Sequence, residues 1–194
     1  MKKGDYLTTI LRSNKTVFSF KDIILLWRES NLKAARVRIN YYIKNGDLYH
    51  LRRGLYAKDK NYDKQELATK IYVPAYVSLE TILGPAGITF QYYSQIFIAS
   101  YLTREINCQG QIYSFRKIKD LILTNRLGLE ARGEYFVASK ERAFLEVIYL
   151  NKDYHFDNLS PLNWSKVFKI LPIYNNQKMS LKVKEFYKYW QSNQ

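Results

Sequence analysis

The chain has 194 residues, 47% of them hydrophobic and 25% charged, with a single cysteine. That length suits one or two domains with a sizeable core, no apolar run approaches the roughly 20 residues that span a bilayer, and one cysteine excludes an intramolecular disulfide framework and fits a reducing compartment. The 31 Lys+Arg against 17 Asp+Glu give a net charge of +14, of which +9 falls in residues 1–64 and +5 in residues 65–194. Such an excess points to a polyanionic partner. Lys2 and Lys3 open the chain, but Gly4-Asp5, Thr8-Thr9 and Arg12 interrupt any signal-peptide core, so a cytoplasmic location is expected.

In chain order, Leu7, Ile10 and Leu11 predict a first helix that ends at Ser13-Asn14. Ser19 and Asp22 form a capping box for a second, whose apolar positions are Phe20, Ile23, Ile24 and Trp27. A turn through Glu29-Ser30-Asn31 leads to a third helix over Leu32–Lys44, with Leu32, Ala35, Ile39 and Ile43 on one face. Asn45-Gly46 stops it, since both residues tolerate the left-handed conformation. Two β-like runs, 48–51 and 55–57, are joined through Arg52-Arg53-Gly54. The expected core is Leu7, Leu11, Phe20, Ile24, Trp27, Leu32, Ala35 and Ile39.

A basic helix followed by a hairpin with arginines at its tip reads as a winged helix-turn-helix DNA-binding domain over residues 1–60. Its expected DNA contacts are Lys33, Arg36, Arg38, Asn40, Tyr41 and Lys44 on the helix and Arg52 and Arg53 on the wing. The polar stretch 58–64 reads as a linker that few core contacts cross.

The second unit, residues 65–194, reads as mixed α/β and ends in helices, so the fold class is α+β. A helix over 66–72 stops at Val73-Pro74, and Ser78 caps another through Leu83. Strands are expected at 96–106, 112–115 and 134–138. Ser139 caps a buried helix, KERAFLEVIYL. Ser160-Pro161 opens a further one with Trp164, Val167, Phe168 and Leu171 on one face. The last packs through Val183, Phe186, Tyr187 and Trp190.

Three blocks, KNGDLYHLRRGLYA, YVSLETILGPAGIT and VASKERAFLEVIYL, resemble in order and separation the AbiEi family of antitoxins from type IV toxin–antitoxin systems. The resemblance covers roughly residues 5–150, with Phe144 and Glu146 where the family usually has an aliphatic residue and Asp. It implies a winged-helix autorepressor of its own operon, acting at its promoter on double-stranded DNA. It also implies a C-terminal domain that counteracts a nucleotidyltransferase-like toxin and abortive-infection activity against phage, with no direct toxin complex assumed. Carried over by position, Arg52, Arg53 and Gly54 match the family's wing tip, and no catalytic residue transfers.

Other chemistry was sought in the residues. A nucleotidyltransferase needs a Gly-Ser turn and paired carboxylates, and the chain has no Gly-Ser and no Asp-x-Asp. Phosphate-binding and dinucleotide glycine patterns are absent too. His50, His155 and Cys108 are too scattered for a structural zinc site, and Cys108 reads as a small packed residue. Glu141 and Glu146 read as surface or capping charges. The 18 tyrosines could stack on single-stranded bases, but their helical spacing favours packing. The expectation is therefore no catalytic residue, no metal and no cofactor: a DNA-binding antitoxin, not an enzyme. The alternatives are a metal-dependent nuclease targeted by the winged helix, and a winged helix used for protein contacts.

Overall fold

The computed structural model describes residues 5–192, so Lys2, Lys3 and Gly4 lie outside the described residues. Helix α1 (Asp5–Leu11) is followed by β1 (Val17–Ser19), α2 (Phe20–Trp27), α3 (Leu32–Lys44), β2 (Tyr49–Arg52) and β3 (Leu55–Ala57). The capping box of α2 forms as expected: Ser19 Oγ accepts from Asp22 N, and the Asp22 carboxylate accepts from Ser19 N at 2.8 Å. Helix α3 has its predicted bounds because Asn31 Oδ1 accepts from the amides of Lys33 and Ala34. Strand β1 is not among the expected elements, since no hairpin turn marks it as one marks β3. It pairs antiparallel with β3 and gives a sheet in the order β1-β3-β2.

The chain continues through α4 (Lys64–Ile71), β4 (Ala75–Val77), α5 (Glu80–Leu83), β5 (Ile96–Ser100), β6 (Arg104–Cys108) and β7 (Gln111–Lys117). Then come α6 (Asp120–Leu123), β8 (Leu129–Arg132), β9 (Tyr135–Ala138), α7 (Lys140–Leu150), α8 (Trp164–Ile170), a 3₁₀ turn (Leu171–Tyr174) and α9 (Gln177–Ser192). The six strands form one mixed sheet, ordered β6-β7-β5-β4-β9-β8, with β5/β7 and β4/β9 parallel. The architecture is α+β.

Three expected elements differ. The run 96–106 is two strands, not one: the chain turns at 101–103 so that β7 can lie between β5 and β6. Ser78 does not cap α5. Its hydroxyl donates to buried Glu146, and Leu79 occupies the cap at φ +57°, ψ −137°, without a side-chain bond. The helix expected from Ser160-Pro161 begins at Trp164, because Asn163 supplies the capping oxygen to Lys166 N.

Strand alternation decides how the layers stack. Val17, Leu51, Leu55 and Ala57 point away from α1–α3 and join Leu67, Ala68, Ile98, Ile106, Tyr113 and Phe115 in one cluster. Phe18, Leu48 and Tyr56 point the other way and pack with Ile10, Ile23, Trp27, Ala35 and Ile39. The small sheet thus lies between its own helices and the large sheet, with His50 of β2 left exposed. The far face of the large sheet, through Tyr76, Phe97, Ala99 and Ala138, carries α5 to α9 around Phe144 and Trp164.

The expectation that few core contacts cross residues 58–64 is therefore not met. The carboxylate of Glu66, in α4, accepts from Thr16 N and Thr16 Oγ1 at 2.8 and 2.7 Å and from Val17 N at 3.3 Å. Lys70 reaches Asp22 at 3.6 Å. Of the expected core, Trp27, Ala35 and Ile39 are buried and Leu7, Phe20 and Ile24 partly so. Leu11 and Leu32 are about half exposed, Leu11 on the open side of α1 and Leu32 at the first position of α3.

Candidate nucleic-acid interface

Helix α3 buries Ala35, Ile39 and Tyr42 and turns the rest of its surface outward. At 100° per residue, Lys33, Asn40 and Lys44 fall within an arc of about 40°, with Arg36 and Val37 on its flanks. All five are exposed, and the helix contains no acidic residue. Arg36 leans towards the small sheet. Its guanidinium lies 5.2 Å from the Phe20 ring, and the amide of Phe20 donates to Gly54 O at 2.9 Å. That chain of contacts sets Arg36 beside the hairpin tip, where Gly54 takes φ +74° and Arg53 is exposed.

The structure sorts the other expected contacts differently. Arg38 is not on the outward arc: its guanidinium sits 3.7 Å over the Tyr6 ring and 5.4 Å from Trp27, and its Nη1 meets Glu29 Oε2 at 3.1 Å. It clamps α3 to α1 and to the end of α2, because residue 38 falls on the border of the apolar face. Glu29 is held below the usual carboxylate range by the backbone amide of Asn31 and by Arg38. Tyr41 is exposed but lies about 80° round the helix from the arc's centre, beside Leu7, Leu11 and Val37 in a groove between α1 and α3.

Arg52 is half-buried, and its charge reaches Cys108 on β6. Burial pushes the Cys108 thiol up all the same, and its Sγ donates to Leu51 O at 3.4 Å. Of the two wing arginines, only Arg53 projects freely. The sequence reading weighed His50 only as a zinc ligand. It is exposed on β2, its ring 5.8 Å from Tyr56, and Tyr56 feels the charge of Arg36. The period-2 alternation of the hairpin, applied to residue 50 rather than to the arginines, would have found it.

The carboxylates expected as surface or capping charges, Glu141 and Glu146, are buried. Glu146 accepts from Arg142 Nε at 2.8 Å and from the hydroxyls of Tyr76 and Ser78. The other four N–H groups of Arg142 go to Asn125 O, Leu127 O, Tyr76 Oη and Ile122 O. Every donor of the guanidinium is thereby satisfied, as a buried ion requires. Gly128 allows this cradle, since a Cβ there would meet Ile170 Cδ1 at 2.7 Å and Arg142 Cβ at 3.1 Å. Glu141 accepts from the amide of Asn163 at 3.2 Å. The blocks 76–89 and 137–150 thus meet in one hydrogen-bonded core.

The sequence matches no protein-family model and no curated protein. Among the described residues no group of three or more His, Cys, Asp or Glu side chains is placed to hold a metal ion, and no helix is long and apolar enough to cross a membrane.

Proposed function

We propose that this protein is a DNA-binding regulator of the AbiEi antitoxin type, with residues 5–57 acting as a winged helix and α3 entering the major groove. The observation that carries the reading is the acid-free arc of Lys33, Arg36, Asn40 and Lys44, with Arg53 projecting from the adjacent hairpin tip. Helix α3, with 13 residues, is about 20 Å long, and the major groove admits a helix of ordinary width. Lys33, Lys44 and Arg53 neutralise phosphates, while Arg36 and Asn40 have the donors and acceptors to read base edges. His50 and Tyr56 extend that surface along the wing.

In this reading the protein represses its own operon and counteracts a nucleotidyltransferase-like toxin without itself catalysing a reaction. The meeting of the SLET and KERAFLE blocks around Glu146 supports treating the second unit as one functional body. The test is an electrophoretic shift with the DNA upstream of its own gene, with and without magnesium. A discrete shifted band with intact DNA is expected under both conditions. Magnesium-dependent cleavage would replace the regulator by a nuclease, and no shift at low salt would remove DNA from the account.

A further inference from the structure

On the second unit, away from α3, a cleft of about 530 Å³ opens between α5 and the irregular segment 89–95. That is the size of a small-ligand site. Two side-chain oxygens on residues that line it lack hydrogen-bond partners. Glu80 Oε2 is buried and makes no hydrogen bond, and so is Thr89 Oγ1, on a residue only 4% exposed. Buried polar atoms are nearly always paired, and these two differ from the unpaired atoms of the closed core in sitting on residues that line one open cleft. Burial raises the Glu80 carboxyl above its usual range, although its own backbone amide, Arg116 and the Tyr154 hydroxyl all favour the charged form.

The rim adds aromatic faces. Phe90 is 71% exposed and Tyr92 is 88% exposed, two positions apart on a loop that is fastened at Phe90. The amide of Phe90 donates to Asp157 at 2.8 Å, and Ile88 O accepts from the amides of Asp157 and Asn158. Large exposed rings on an anchored loop are wasteful in a monomer unless something stacks on them. Gln65, Gln91 and Gln95 line the same cleft with amides that both donate and accept. Arg132 reaches Gln65 Oε1 at 3.3 Å and sets a cation at the edge.

We infer that this cleft binds a nucleobase, with Phe90 and Tyr92 stacking on its face, Glu80 and Thr89 meeting its N–H edge, and Arg132 facing the attached phosphate. Stacking combined with hydrogen bonds to a base edge is how unpaired bases are held. The base belongs to a free nucleotide or to a single strand. A duplex is excluded, because its bases offer no free face.

The test is isothermal titration of the full-length protein with GMP, AMP, CMP and UMP, with ribose 5-phosphate as control, and with single-stranded eight-residue oligonucleotides. Saturable binding of at least one nucleotide and none of ribose 5-phosphate is expected. Phe90→Ala with Tyr92→Ala should weaken it at least about fivefold. These rings are exposed, so the thermal midpoint should hold. Glu80→Gln and Thr89→Val should weaken it separately. An oligonucleotide that binds tighter than its mononucleotide, with the same loss in the Phe90/Tyr92 variant, identifies a single strand as the source; equal affinities identify a free nucleotide. No saturable binding at millimolar concentration, or binding indifferent to all four substitutions, would overturn the inference. Neither result bears on duplex binding through α3.

Discussion

Asp22 shows how one side chain serves two levels of structure. It closes the capping box of α2, and it also takes ion-pair contacts from Lys15 at 2.8 Å and from Lys70 of α4 at 3.6 Å. Burial opposes its charge, yet the bonds from Lys15 and Ser19 and the charge of Lys70 bring it down to about 2 from the usual 3.8. A carboxyl depressed on folding stabilises the protein above its unfolded value and loses that contribution as pH falls through the folded one. Asp22 should therefore contribute about 1 kcal/mol at neutral pH once solvent screening of a partly exposed carboxylate is allowed for, lost between about pH 4 and pH 2. Asp22→Asn should lower stability at pH 7 by about that amount and flatten the acid limb in that window. Denaturant melts at stepped pH values measure both, and an unchanged acid limb would show that Asp22 is not the group that titrates.

Helix α3 was legible in the sequence to the residue, because Asn31 caps it, Asn45-Gly46 ends it and no Gly or Pro interrupts it. What sequence could not fix was the border of its buried face. Residue 38 lies where the apolar stripe gives way to solvent, and only the tertiary neighbours Tyr6, Trp27 and Glu29 decide that its guanidinium turns inward. Buried Glu146 was misread for the same reason: its partners Tyr76 and Ser78 lie some 70 positions away. Strands β1 and β4 were missed because no hairpin turn marks them, whereas β3, equally short, follows the turn at Arg53-Gly54. The contrast within α3 is testable. Arg38→Ala should cost about 1–2 kcal/mol of stability through lost cation–π and apolar contact, and should leave operator affinity nearly unchanged. Asn40→Ala should do the opposite, leaving the melt alone and costing about 1–3 kcal/mol on operator DNA. Identical behaviour of the two variants would refute this division.

The small sheet joins the first unit to the second. One of its faces packs on α1–α3 and the other on the large sheet, and Glu66 ties β1 to α4. A fragment of residues 1–64 would uncover Val17, Leu51 and Leu55 and strip Thr16 and Val17 of their acceptor. Such a fragment should melt without a cooperative transition, whereas one that melts at the midpoint of the full chain would show that the first unit needs no second. DNA binding is accordingly best measured on the intact protein. The most direct measurement is fluorescence anisotropy of a labelled duplex carrying its own promoter, titrated across a series of salt concentrations, for the native chain and for Lys33→Ala with Lys44→Ala. Each neutralised phosphate releases about 0.9 of a counterion, so the log–log salt slope of the double variant should be shallower by about 2. The same slope for both proteins would mean that α3 does not face the DNA backbone, and would contradict the account.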